Sequence, residues 1–198
     1  MPKQHDPHPV SVHFRHSSSM GHVLALVLLD VPFPDIQGAL GKNEKAGISV
    51  ATSNLKPWVN ADAQIAEDIV FITIQTIAKF APKRVGPLVS EQLIIGTFLC
   101  YVLVWSFVSI ASQSQKRKLL DRITRDQGLW INPHLASIRK GLYSNTDNDF
   151  ATGDSAPNVS KPDFLRVILR SAGQWLTQLG TWGCALNLAL LLRHRSEM

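Results

Sequence analysis

The longest apolar stretch of the chain extends from Leu93 to Ala111, and residues 92–115 contain no charged side chain. As a helix with a rise of about 1.5 Å per residue, this stretch would be roughly 28 Å long, close to the roughly 30 Å hydrocarbon thickness of a bilayer. The pattern predicts a transmembrane helix within residues 88–115. Cys100 and Tyr101 are the only ionisable side chains of Leu93–Ala111, so we expect a structural span and no path for ions or protons.

A second uncharged stretch, 171–192, is also long enough to span a bilayer. At helical spacing, the apolar stripe is Trp175, Leu179, Trp182, Leu186 and Leu190, and the polar stripe is Ser171, Gln174, Thr177, Gln178 and Thr181. A helix of this kind either spans with its polar side against protein or lies on the membrane surface. The sequence therefore predicts one C-terminal helix within 163–198, with a second transmembrane segment at about 171–192.

Small and polar residues of this C-terminal segment are the candidates for contact between helices, because small side chains permit close approach and amides hydrogen-bond across helices. The predicted contact residues are Gln174, Gln178, Thr181, Gly180 and Gly183, and Gly173 and Cys184 lie on the same small-residue face as the two glycines.

A basic segment follows the first apolar stretch directly. Residues 116–162 predict basic juxtamembrane helices, among them a short helix at 132–141 with proline at its first position and glycine after its end, and then a polar loop at 144–162. Contact with lipid headgroups is expected at Lys116, Arg117, Lys118, Arg122 and Arg125. The ligand implied is an anionic phospholipid such as cardiolipin.

The chain before the first apolar stretch divides into two parts. Prolines and glycines predict an extended, irregular segment over 1–59, in which 10–15 alternates weakly like a strand and 23–29 fits a buried strand or a short helix. Residues 60–81 predict an amphipathic helix with Asn60 as its N-cap, too short in its uncharged part to span and therefore interfacial. Together these elements predict an all-α membrane protein with peripheral helices.

The formal net charge is +5, and its distribution along the chain predicts the orientation of the protein in the membrane. Residues 116–170 carry ten Lys or Arg against six Asp or Glu, and positive loops are retained on the cytoplasmic side, or on the matrix side in a mitochondrion. If both segments span, the loop 116–170 is expected in the matrix. The basic residues are not accompanied by interleaved aromatics, Gly-rich RNA motifs or a recognition helix, so nucleic acid is not an expected partner.

Few side chains are candidates for catalysis or metal binding. The two cysteines, Cys100 and Cys184, lie in apolar stretches and are expected as buried hydrophobic residues. The aspartates at 147, 149 and 154 do not have the spacing of a calcium loop. Five N-terminal histidines lack a framework that would converge them on a metal, and they are His5, His8, His13, His16 and His22. No catalytic residue, cofactor or metal site is predicted.

The sequence contains no P-loop, dinucleotide glycine pattern, HExxH, GxSxG or CxxC. We therefore expect a non-catalytic accessory subunit of a large organellar membrane complex, in the respiratory chain or ATP synthase of the mitochondrial inner membrane, with other subunits as partners. Two alternatives stay open. One is an independent membrane protein, such as an enzyme of lipid metabolism or a small carrier, and the other is a soluble all-helical protein whose apolar stretches form its core.

Overall fold

The computed structural model describes residues 20–23, 25, 29, 31–42, 45–80, 91–143, 162–178 and 183–197. These residues form helices and turns, with no strand among them, which confirms the all-α prediction for this part of the chain. The strand predicted at 10–15 and the polar loop after residue 143 lie outside the described residues, as do the first four N-terminal histidines.

Nine α-helices account for most of the described residues, with one π-helical turn and one 3₁₀ turn. They are α1 (Phe33–Gln37), the π-helical turn (Gly38–Lys42), α2 (Lys45–Ala61), α3 (Ala63–Phe80), α4 (Glu91–Ile110), α5 (Gln113–Arg125), α6 (Gln127–Trp130), the 3₁₀ turn (Pro133–Leu135), α7 (Ala136–Tyr143), α8 (Pro162–Gln178) and α9 (Gly183–Glu197). The short helix predicted at 132–141 is present as the 3₁₀ turn and α7.

Helix α4 lies at the centre of the bundle and contacts α1, α2, α3, α7, α8 and α9. It is the one helix of the described residues that is long and apolar enough to cross a membrane. The side chains of Val102, Val104 and Phe107 are fully buried, and the chain itself buries 78% of Leu93–Ile110. The buried Ser106 hydroxyl donates to the carbonyl of Val102 at 2.9 Å, so its polarity is satisfied within the helix.

A capping box turns the chain sharply at the end of α4. The Ser112 hydroxyl accepts from the Gln115 amide, and the Gln115 side-chain oxygen accepts from the Ser112 amide at 2.8 Å. The Gln115 side-chain amide donates to the carbonyl of Val59 at 2.9 Å, and farther along the Asn132 side chain donates to the carbonyl of Ala78. The segment from α5 to the 3₁₀ turn therefore runs parallel to α3, and α4 runs antiparallel to both.

The N-terminal region is more helical than its prolines and glycines predict. Residues 33–61 lie mostly in α1, the π-helical turn and α2, and Pro57 lies inside α2. Leu55 and Val59 of α2 are completely buried, so packing against the bundle outweighs the local cost of a proline in a helix. Asn60 is in the last turn of α2, and the Asp62 carboxylate takes the predicted capping role by accepting from the Ile65 amide at 3.2 Å.

The C-terminal segment differs from the single helix predicted for 163–198. Helices α8 and α9 form the most extensively packed helix pair of the bundle, and a Cβ added to Gly173 would lie 3.3 Å from the carbonyl oxygen of Ala189. The pairing of 173 with 189 makes the two helices antiparallel, with α8 ending at Gln178 and α9 starting at Gly183. Residues 171–192 therefore form no straight helix of spanning length, which corrects the prediction of a second span there.

Candidate functional site

A surface groove with a volume of about 510 Å³ lies between α8 and α9. Its floor is Gly173 of α8 and Ala189 of α9, whose backbones approach closely because neither has a bulky side chain. Leu186 and Leu190 line the groove from α9, and Gln174 lines it from α8. The groove therefore has an apolar wall on the α9 side and a polar wall, with Gln174 and Thr177, on the α8 side.

Two arginines lie at one end of this groove. Gly173 and Ala189 are opposite each other in the antiparallel hairpin. Residues that precede Gly173 on α8 and residues that follow Ala189 on α9 therefore lie at the same end of the hairpin. These residues are Arg170 and Arg193, and both line the groove. Arg170 and Arg193 immediately flank the uncharged stretch 171–192, and in a straight helix they would be roughly 35 Å apart. The hairpin brings them together.

The outward side of α9 exposes three large apolar side chains, which we call the leucine face. Leu186, Leu190 and Leu191 are 46%, 54% and 48% exposed. Leu186 and Leu190 also line the groove, so the groove opens onto the leucine face. An exposed row of leucines on one helix is typical of a surface that contacts membrane or another protein.

The predicted basic helix exists as α5, but its five cations are in different surroundings. Arg122 pairs with Asp68 of α3 at 2.5 Å, and its guanidinium carbon lies 4.2 Å from the ring centre of Phe71. Hydrogen bonds from Arg122 and then from Gln64 hold the pKa of Asp68 below its ordinary value. Arg122 therefore ties α5 to α3, which gives it a structural role in addition to any contact with lipid.

The other four predicted headgroup contacts divide by exposure. Lys116 is 5% exposed, so its side chain lies within the bundle, whereas Arg117, Lys118 and Arg125 are on the exposed surface of α5. Helix α5 packs against α3, α6 and α7. The sequence pattern placed five cations in one patch because they are close in sequence, but only three of them are exposed.

The polar stripe of α8 is mostly exposed, with Gln174, Thr177 and Gln178 on the surface, whereas Trp175 and Leu176 are buried. This differs from the expectation of a helix with its polar side against protein. Ser171, Gln174 and Gln178 line a second cavity of about 180 Å³, which also touches Tyr101 of α4 and Ser137 of α7. Of the predicted contact residues between helices, Gln174 and Gln178 therefore border α4 and α7. Gly180 and Thr181 lie outside the described residues, and Gly183 is the first residue of α9.

Glu67 is a buried acid that the sequence pattern did not single out. It lies near the start of α3, it is 2% exposed, and its Oε1 has no hydrogen-bond partner in the described structure. Ile65 and Ile72 of the same helix are 50% and 38% exposed. Packing against α2, α4 and α5 therefore decides which side of α3 is buried.

Within the described ranges, no three His, Cys, Asp or Glu side chains converge as metal ligands. No protein-family model matches the chain, and searches of curated proteins and of solved structures find no match.

Proposed function

We propose that this chain is a non-catalytic accessory subunit of a membrane-bound complex, with the mitochondrial inner membrane as its expected location. The observation that carries the proposal is the leucine face of α9. A helix that exposes Leu186, Leu190 and Leu191 next to Arg193 has the surface chemistry of a contact with other hydrophobic subunits and with anionic lipid.

Helix α4 supports the membrane location through its length. Its 20 residues extend about 30 Å, which matches the hydrocarbon thickness. In a complex, neighbouring subunits and lipid would contact the sides of the bundle that its own helices leave exposed, among them Ile95 of α4 and Ile72 of α3. The capping box at Ser112 keeps the basic helix α5 next to the end of α4.

Native electrophoresis tests the proposal. After extraction with a mild detergent, the chain should migrate in a particle several times larger than its own 21.9 kDa. The variant Leu190→Asn with Leu191→Asn should leave that particle, because it makes the leucine face polar. A matched change at another exposed apolar residue, Val50→Asn on α2, should stay in it. Migration of the unaltered chain as a monomer would overturn the proposal.

One observation favours a second candidate, a helical protein in which α4 is only a core helix. The chain itself buries 78% of Leu93–Ile110, and the charged helix α5 packs on α3, which in turn covers α4. Lys118 and Arg125 on the surface of α5 would be costly in hydrocarbon. Alkaline carbonate washing separates the candidates. A spanning α4 keeps the chain in the membrane pellet, whereas a core helix allows its release.

A further inference from the structure

We infer that the α8–α9 groove binds one anionic phospholipid, with its phosphate at Arg170 and Arg193 and one acyl chain along the floor of Gly173 and Ala189. This inference rests on the proposed membrane location. It assigns the lipid contact to the hairpin, whereas the sequence pattern assigned it to α5.

The charged end selects the headgroup. A guanidinium donates two parallel hydrogen bonds to phosphate oxygens, and two guanidiniums at one point can hold both free oxygens of a phosphodiester. Arg170 and Arg193 come from different helices and meet at the same end of the groove.

The remainder of the groove suits an acyl chain. From the level of Arg170 to that of Thr177 it extends about 10 Å along the hairpin, and its 510 Å³ falls within the roughly 300–1,000 Å³ of small-molecule sites. The Thr177 hydroxyl donates to the carbonyl of Gly173 at 2.8 Å, so its hydrogen bond is made within α8. Leu186 and Leu190 supply the apolar wall.

The position of the groove favours a membrane lipid over a soluble anion. Leu186 and Leu190 belong both to the groove and to the leucine face, so an acyl chain that leaves the groove continues over exposed leucines. A small phosphate compound would contact the arginines but bury none of this apolar surface. It would therefore lack the binding free energy that an acyl chain gains for each unit of apolar area it buries.

Vesicle binding tests the headgroup contact. The purified full-length protein should bind phosphatidylcholine vesicles that contain cardiolipin more tightly than vesicles of phosphatidylcholine alone. Arg170→Gln with Arg193→Gln should weaken binding about 25-fold, since each arginine at an anionic surface contributes roughly a factor of five. The matched variant Lys118→Gln with Arg125→Gln removes the same charge from α5 and should bind nearly as well as the unaltered protein. Equal loss in both variants, or loss only in the α5 variant, would overturn the groove as the site.

Native mass spectrometry tests the acyl-chain contact. The unaltered protein should retain one phospholipid in detergent, and Leu186→Asn with Leu190→Asn should release it although both arginines are present. Both leucines are half exposed, so circular dichroism of this variant should match that of the unaltered protein. If glycerol phosphate displaces the phospholipid at a similar concentration, the site binds only the phosphate group and the acyl chain adds no affinity. That result would contradict the inference.

The two proposals fail in different measurements. If the chain migrates as a monomer on native electrophoresis but retains one phospholipid through Arg170 and Arg193, the accessory-subunit proposal is wrong and the lipid site stands. If it migrates in a large particle and the arginine variant binds cardiolipin vesicles unchanged, the lipid site is wrong and the subunit proposal stands.

Discussion

Helices α4 and α9 are both rich in large apolar side chains, but the fold treats them differently. Leu103 of α4 is 1% exposed, whereas Leu191 of α9 is 48% exposed. Six helices surround α4, while α9 packs on α8 along one side and only touches α4. Apolar composition therefore shows that both helices can be buried, and position in the bundle shows which of them the chain buries by itself. Three of the exposed large apolar side chains are on α9, whereas α4 has one, Ile95.

Truncating one leucine in each helix tests this comparison most strongly. Leu103→Ala should lower the free energy of unfolding by about 2–5 kcal/mol, because it leaves a cavity in a close-packed core. Leu191→Ala removes the same atoms from a half-exposed site and should cost less than about 1 kcal/mol. Chemical denaturation of both variants gives the two values.

Similar losses for these two leucines would break the comparison. They would mean that α9 is as well covered as α4 in the folded protein, for example by a second copy of the chain. A dilution series would then show whether the stability of the unaltered protein depends on its concentration.

Glu67 sharpens the comparison on the α4 side, because it lies on the buried side of the helix that covers α4. A buried carboxylate oxygen without a hydrogen bond costs desolvation energy. Glu67→Gln should therefore stabilise the protein by about 1–2 kcal/mol, seen as a melting temperature raised by roughly 2–8 °C. Asp121→Asn, at an exposed acid of α5, is the control and should leave it nearly unchanged. A lower melting temperature for Glu67→Gln would indicate that the carboxylate is paired in solution.

The link between Arg122 and Asp68 gives the smallest effect. Arg122→Gln should cost about 1 kcal/mol, because the pair is partly exposed and the contact with the Phe71 ring adds a similar small amount. Arg125→Gln, on the exposed surface of the same helix, should cost almost nothing. Thermal unfolding of the two variants side by side measures the difference, and equal costs would remove the structural role assigned to Arg122.

The same pair predicts a pH dependence. Because the Asp68 pKa is lowered in the folded state, its contribution to stability is present above the unfolded pKa of about 3.9 and is lost as the pH falls through the folded value. The unaltered protein should therefore lose stability relative to Asp68→Asn below about pH 4. If the free energies of unfolding of the two proteins change by the same amount between pH 6 and pH 3, the pair contributes nothing to stability.

The sequence pattern located most helices because their signals are local. The capping residue Asn132 and the proline after it were sufficient to predict the helical segment at 132–141, and the Asn132 side chain accepts from the His134 amide as expected of a cap. By contrast, helix α2 was missed because Gly47 and Pro57 are local breakers, and burial of Leu55 and Val59 by distant parts of the chain outweighs them.

The candidate site was only partly accessible to sequence reasoning. The polar stripe with Gln174 and Gln178 was recognised, but both side chains are exposed and only border the second cavity. Arg170 and Arg193 were treated only as the ends of an uncharged stretch. Gly180 and Gly183 were the available signal, because two glycines within four residues weaken a helix at that point.

The sequence alone determined that Leu93–Ile110 forms a long apolar helix, since helix formation and hydropathy depend on neighbouring residues. Only the tertiary structure decided that α4 is surrounded by its own chain and that the next uncharged stretch folds into a hairpin. Burial and the meeting of Arg170 with Arg193 depend on contacts between residues far apart in sequence, and a periodic pattern contains no information about which distant helix will cover which face.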